Sequence, residues 1–263
     1  MQLVTPLIFL AIAVEYVYAS HSHFEISRRH GQHSRLARRT QGRCAAHNKS
    51  KVANNFNSAS STLSNISFIP GGGTGLINVP SSCGPTGATP NVSPTSGPNG
   101  AIDWLNCGVG DGGWRPPYVQ VSDIIAKDLN TAIQQPGSPF KACEAYVSMF
   151  EQYANQFGVP AIMIAAIAMQ ESGCNAGTVG GAGEQGLMQL TQDKCGAAPN
   201  GNCMDPDYNI RTGAKYFSTT LQNNGGSLLL TLGNYNGWPE GMTYGQATAA
   251  ANTPCCRCQN NLD

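Results

Sequence analysis

The chain has 263 residues and a formal net charge of zero, 15 Lys and Arg against 15 Asp and Glu, so no charge excess draws it to nucleic acid or to a strongly anionic partner. Low hydrophobicity and runs of Ser, Gly, Thr and Pro before residue 100 leave apolar material for one sizeable core. No histidine follows His47, which excludes Ser-His-Asp and Cys-His hydrolases and histidine-ligated zinc enzymes from the folded part.

In chain order, the first predicted element is the apolar run Leu3 to Val14. Val17-Tyr18-Ala19 follows, with small residues at the two positions a signal peptidase inspects. Residues 1–19 thus read as a signal peptide and the protein as secreted and extracellular. The missing Lys or Arg before the run and the intruding Glu15 leave a short membrane anchor as the alternative. No later stretch is long enough to span a bilayer, so no membrane association is expected once the signal is removed.

Residues 20–43 hold four of the five histidines and the dibasic pairs Arg28-Arg29 and Arg38-Arg39, and read as a removable basic propeptide. Cutting after Arg39 removes five arginines and two acids, Glu15 and Glu25, leaving a net charge of −3. His21-x-His23 is a weak metal signal, because two imidazoles without a scaffold bind loosely.

Residues 44–100 are rich in Ser, Asn, Gly, Thr and Pro and carry acceptor sequons at Asn48, Asn65 and Asn91. Such a stretch buries too little to offset its ordering entropy, so a disordered stalk or linker is expected. The ten cysteines fit an exported, oxidised chain with up to five disulfides, each contributing about 2–4 kcal/mol. Cys195 and Cys203 bracket a Gly/Pro/Asn loop that suits a local bridge. Cys255, Cys256 and Cys258 read as disulfide partners, with a zinc site as the alternative.

The composition changes at Ala101, and residues 101–263 are expected to form a single, mainly α domain. Ala142 to Phe157 places Ala145, Met149, Tyr153 and Phe157 four apart on one helix face, with Gly158 as the stop. Pro160 opens a second helix whose body, Ala161 to Met169, is apolar on nearly every side and should be central. A Gly-rich loop, Gly173 to Gln185, separates it from Gly186-Leu187-Met188-Gln189. Asp205-Pro206 is a helix start, and Ile210, Ala214, Phe217 and Leu221 form the buried stripe of the helix that follows. Leu228-Leu229-Leu230 leads a short helix to Asn234-Tyr235-Asn236.

Carboxylates, amides, hydroxyls and tyrosines are left to carry polar chemistry. Glu171, at the end of the apolar helix, should lose hydration there; that favours its neutral form and lets it donate a proton near neutral pH. Amides and hydroxyls suit N-acetyl groups, and aromatic faces stack on sugar rings. Trp104, Trp114 and Trp238 could serve such a groove or fill the core.

Glu171-Ser172, Gly186-Leu187-Met188-Gln189, Asn209-Ile210-x-x-Gly213-x-x-Tyr216-Phe217 and Tyr235-Asn236 occur in the order and approximate spacing of the soluble lytic transglycosylases. The chain resembles that family, whose lysozyme-like domain is shared with goose-type lysozyme, over residues 145–240, and its flanking segments resemble secreted fungal members. The resemblance implies an α+β lysozyme-like fold and cleavage of the β-1,4 bond between N-acetylmuramic acid and N-acetylglucosamine in peptidoglycan. It makes Glu171 the catalytic acid and then base, has Ser172 orient its carboxyl group, and has Met188, Gln189, Tyr235 and Asn236 line the groove.

A hydrolytic route needs a second carboxylate, for which Glu184 and Asp193 are the candidates. The sugar's own 6-hydroxyl serves the anhydro-forming route instead. No metal or cofactor is expected, the partner is a polysaccharide, and the protein is expected to be a monomer. The rival readings are the same groove acting on chitin and a wall protein that grips glycan without cutting it. The Gly233-Asn234 pair before Tyr235 departs from the alanine-rich segment usual in the family.

Overall fold

Burial of a helix on all sides requires partners on all sides, and the computed structural model shows how they are supplied. It describes residues 75–247 and 249. The expected signal peptide, propeptide and first part of the linker, two of the sequons (Asn48 and Asn65), and Cys255, Cys256 and Cys258 lie outside the described residues.

Two short antiparallel strands, β1 (Ser96–Gly97) and β2 (Gly100–Ala101), precede the helices α1 (Ile102–Leu105), α2 (Leu129–Gln134), α3 (Val147–Phe157), α4 (Ala161–Ser172), α5 (Pro206–Asn223), α6 (Leu228–Tyr235) and α7 (Tyr244–Ala247). The domain is mainly helical, as expected. Helix α3 packs against both α4 and α5, and α5 packs against α6.

Helix α4 is the centre. Every residue from Ile162 to Ala168 is buried, and an aliphatic side chain taken fully out of water contributes about 1.5–3 kcal/mol. Pro160 stands at its N-cap, and Gly173, at φ 64°, closes it in a left-handed turn that a Cβ would disfavour. Gly158 ends α3 in the same way at φ 66°.

The helix expected over 142–157 is divided. Pro139–Tyr146 is a 3-10 segment, and α3 begins only at Val147. Its inward face is Cys143, Phe150 and Tyr153, with Met149 and Phe157 half-buried, while Ala145 is exposed. The change of helical pitch at Tyr146 rotates Ala145 off the face that a continuous 3.6-residue period assigns to it. The α5 stripe is as expected in Ile210, Ala214 and Phe217, and Leu221 is half-buried. The Asp205 carboxylate accepts from the Tyr208 amide at 2.9 Å as the N-cap.

Packing against the helical domain begins before residue 101. Ile77 is buried, its amide donates to the Pro98 carbonyl at 2.8 Å, and Cys83 is bonded to Cys107. Asn99 is buried as well, and its side chain exchanges hydrogen bonds with the backbone of Ile125 at 2.8 and 3.1 Å. Residues 75–100 are thus a strap laid on the helical domain, which corrects the expected linker boundary at residue 100. A disulfide and a buried amide do for this segment what its few apolar groups could not. The sequon at Asn91 lies on an exposed part of the strap.

The three tryptophans are core residues. Trp104, Trp114 and Trp238 are 3%, 0% and 1% exposed, which removes them as groove candidates. Trp114 meets Trp238 edge-on, with centroids 5.3 Å apart. Gly233 lies against the Trp114 ring so closely that a Cβ there would stand 2.2 Å from it. Gly233 therefore departs from the family pattern because the indole occupies the space an alanine methyl would need.

Candidate active site

Glu171 sits in the last turn of α4, with Ser172 between it and the left-handed Gly173. Cys174 follows, itself at φ 56°, and is bonded to Cys143 in the turn before α3. The helix end that carries the acid is thus fastened covalently to a neighbouring element. Glu171 keeps some solvent contact, yet protein crowds its carboxyl group on most sides. Lost hydration first, and the charge of Glu184 second, push its pKa up to about 8. Among the described residues no group donates a hydrogen bond to this carboxyl.

The segment 173–190 is more ordered than a plain Gly-rich loop. Backbone bridges pair Val179 with Gln185 and Gln185 with Leu190, forming a small β lobe over the end of α4. Its inner turn is pegged by Asn209 of α5, which is fully buried. The Asn209 Oδ1 accepts from the Met188 amide at 2.8 Å, and its Nδ2 donates to the carbonyls of Gln185 and Cys203, each at 2.8 Å. Gly186, at φ 80°, lies where a Cβ would meet Asn209 at 2.3 Å. Glycine is required there on both counts.

Several expected roles change in this setting. The Ser172 hydroxyl lies 2.8 Å from the Leu187 carbonyl and 3.0 Å from that of Ala168, so it ties α4 to the lobe instead of orienting the Glu171 carboxyl. The Met188 side chain is fully buried and packs against Gly213, where a Cβ would come within 2.6 Å of its sulfur. It belongs to the core, because the peg at Asn209 turns that side chain inward. Gln189, half-buried at φ 47°, donates from Nε2 to the carbonyls of Gly186 and Thr178 at 2.8 and 3.2 Å. Its amide nitrogen is spent on holding the lobe's shape.

Tyr235 is brought close to Glu171. Burial first, then the Glu171 charge, and then Tyr216 raise its hydroxyl well above the ordinary tyrosine range. That hydroxyl donates to the Met188 carbonyl at 2.9 Å. Asn236 caps the end of α6, half-buried, with no hydrogen bond from its side chain among the described residues. Both ends of its amide are available to a ligand.

The two candidate second carboxylates separate. Glu184, in the lobe, is the one whose charge reaches Glu171; its Oε2 accepts from the Ala182 amide at 3.1 Å. Asp193 is 74% exposed and pairs with Lys194 at 3.2 Å. Hydrogen bonds from Thr191 first and Lys194 after it hold its carboxyl below the usual range, and its charge has no part in the shift at Glu171.

Asn209 and Tyr216 belong to a motif of the resemblance that carries no groove role, and Lys194 lies outside its motifs. Tyr216 in fact borders the site, with its ring 5.6 Å from that of Tyr235. Among the described residues, no three His, Cys, Asp or Glu side chains are grouped so that they could hold a metal ion. Nor is any described helix long and apolar enough to cross a membrane.

A glutamic acid at the end of a buried helix, facing a short β lobe pegged from the next long helix, is the arrangement of a lysozyme-like domain. Residues 148–248 match the Transglycosylase SLT domain family. Membrane-bound lytic murein transglycosylase F 1 of Alkalilimnicola ehrlichii is 38% identical over 77 residues, 29% of this chain and 16% of the relative. Membrane-bound lytic murein transglycosylase F of Marinobacter nauticus is 36% identical over 72 residues, 27% of this chain and 14% of the relative. The chain thus spans about a sixth of the length of these curated relatives. No solved structure gives a significant match.

Proposed function

We propose that this protein is a secreted peptidoglycan-cleaving enzyme in which Glu171 protonates the leaving glycosidic oxygen and then acts as the base. The observation that carries the reading is the Glu171 carboxyl, dehydrated at the end of α4 and raised to about 8, so that it holds its proton at neutral pH. The relatives' names, both lytic murein transglycosylases, support peptidoglycan as the substrate. The signal-like residues 1–19 and the disulfides Cys83–Cys107, Cys143–Cys174 and Cys195–Cys203 support export.

After the leaving sugar departs, deprotonated Glu171 takes a proton from the attacking hydroxyl. In the transglycosylase route this is the sugar's own 6-hydroxyl, and a cyclic 1,6-anhydro end results. Asn236 is suited to bind an N-acetyl group and the Tyr216–Tyr235 pair to bear on a sugar ring. Ser172, Gln189 and Asn209 keep the lobe at the right height over the acid. A hydrolytic second reading has one observation in its favour. Glu184 is the carboxylate whose charge reaches Glu171, the group a hydrolytic route would use to orient a water.

The test is incubation of the purified protein and its Glu171→Gln variant with insoluble peptidoglycan and with chitin, followed by mass spectrometry of the soluble products. Fragments one water lighter than hydrolytic ones, absent with the variant, are the expected result. Ordinary reducing ends would favour the Glu184 route. The variant should lose about 10²–10⁴-fold in turnover, the range of a general acid. Turnover unchanged in Glu171→Gln would remove the assignment.

A further inference from the structure

A line of neighbours runs outward from the acid. Glu184 and Tyr235 both interact electrostatically with Glu171, and Tyr216 interacts with Tyr235. Beyond Tyr216 stands Lys194, its Nζ 4.7 Å from the centre of the Tyr216 ring. Tyr216 is 37% exposed, so part of its ring remains open beside the cation.

Lys194 is a held charge. Its Nζ donates to Thr191 Oγ1 at 2.8 Å and to Asp193 Oδ2 at 3.2 Å, and its side chain is 24% exposed. Its backbone is fixed too, since the Tyr208 hydroxyl donates to the Lys194 carbonyl at 2.6 Å and the bridge Cys195–Cys203 begins at the next residue. An ammonium already fixed over an aromatic face loses little further freedom when it meets an anion. Asp193 offsets it only weakly, because that carboxylate is 74% exposed and screened by water.

We propose that Lys194, seated on Tyr216, makes this end of the groove a subsite for a carboxylate-bearing sugar unit, so that the site favours acid-substituted N-acetylated glycan over neutral N-acetylglucosamine polymer. The proposal rests on the glycan-cleaving reading of the groove and names the substrate class within it. A muramic unit carries a carboxyl on its lactyl ether, or at the end of a peptide attached there. Chitin carries none. The exposed part of the Tyr216 ring would support the sugar face while the ammonium meets the acid in a charge-assisted hydrogen bond.

The test uses binding, so that it does not depend on turnover. In the Glu171→Gln background, sedimentation with insoluble peptidoglycan and with chitin is compared for Lys194, Lys194→Met and Lys194→Arg, at low and at 0.5 M salt. Methionine keeps a linear stem over the ring and removes the charge. We expect Lys194→Met to weaken peptidoglycan binding about 5–30-fold, the range for a partly exposed charged hydrogen bond. Arginine should restore it, salt should mimic the loss, and chitin binding should not change. Equal losses on both polymers, no loss on peptidoglycan, or a parent that binds chitin as tightly as peptidoglycan or binds neither would each overturn the proposal. Failure of the cleavage reading would show separately, as no soluble product from either polymer with the unsubstituted protein.

Discussion

The Tyr235 hydroxyl donates to the Met188 carbonyl at 2.9 Å, joining the last turn of α6 to the lobe that faces Glu171. One residue earlier, the Leu187 carbonyl lies 2.8 Å from the Ser172 hydroxyl of α4. Consecutive carbonyls of one turn are therefore held by hydroxyls from two helices, and the Met188 amide between them is held by Asn209 from a third. The site is a junction of α4, α5 and α6, with the lobe as the piece they fix in common.

Removing each tie should have a different consequence. Tyr235→Phe keeps the ring against Tyr216 and Phe217 but drops the hydrogen bond, at a cost of about 1 kcal/mol in stability. Turnover should fall about 10-fold, because the lobe is no longer held at a fixed height over the acid. Ser172→Ala strands the buried Leu187 carbonyl and should cost about 1–3 kcal/mol. Urea midpoints and peptidoglycan turnover on the same preparations check both. A Ser172→Ala midpoint equal to the parent's would show that the tie contributes nothing.

The pH dependence follows from Glu171. The acid must be protonated to act, so cleavage should persist to about pH 7 and decline above about pH 8. Glu184→Gln removes the smaller of the two causes and should move this alkaline limb to lower pH without abolishing it. For stability, the unfolded chain loses this proton near 4.5 and the folded chain near 8, so between those values the folded state binds more protons. Its stability must then fall as pH rises through that window. Glu171→Gln, with no proton to lose, should raise the thermal midpoint relative to the parent at pH 8 and have little effect at pH 4. The opposite trend would contradict a raised carboxyl.

Two glycines of the helical framework offer a packing test. A methyl at Gly213 would meet the Met188 side chain at 2.6 Å, and one at Gly233 would meet the rigid Trp114 indole at 2.2 Å. Methionine can shift, whereas a tryptophan wedged against Trp238 cannot. Gly233→Ala should therefore cost more than Gly213→Ala, within about 1–3 kcal/mol for overpacking. Chemical denaturation of the two variants measures the difference, and equal midpoints would argue that Trp114 yields after all.

Much of the helical framework could be read from the chain. The all-round apolar run of α4 had to be central, the Asp205-Pro206 start and the Gly158 stop are local chemistry, and the short spacing of Cys195 and Cys203 fitted a local bridge. The break at Tyr146 was harder to see, because 3-10 and α segments share apolar residues and differ only in pitch. The strap at 75–100 escaped for another reason. Its order comes from Cys83–Cys107 and from Asn99 on Ile125, contacts made at a distance along the chain by a segment whose own composition is that of a linker.

The sequence alone determined that one carboxylic acid, Glu171, ends a helix that must be buried, and that histidine chemistry is absent from the folded part. Both follow from residue type and local period, which are properties of the chain itself. Only the tertiary structure decided which motif residues keep polar atoms for a ligand and which are used up in the scaffold. Ser172 and Met188 are consumed by the lobe and core, Gln189 spends its amide nitrogen on the lobe, Asn236 is left open, the charge of Glu184 reaches the acid, and Lys194 is seated on Tyr216. A side chain's role at a junction of three helices depends on which neighbours take its hydrogen bonds, and packing alone assigns them.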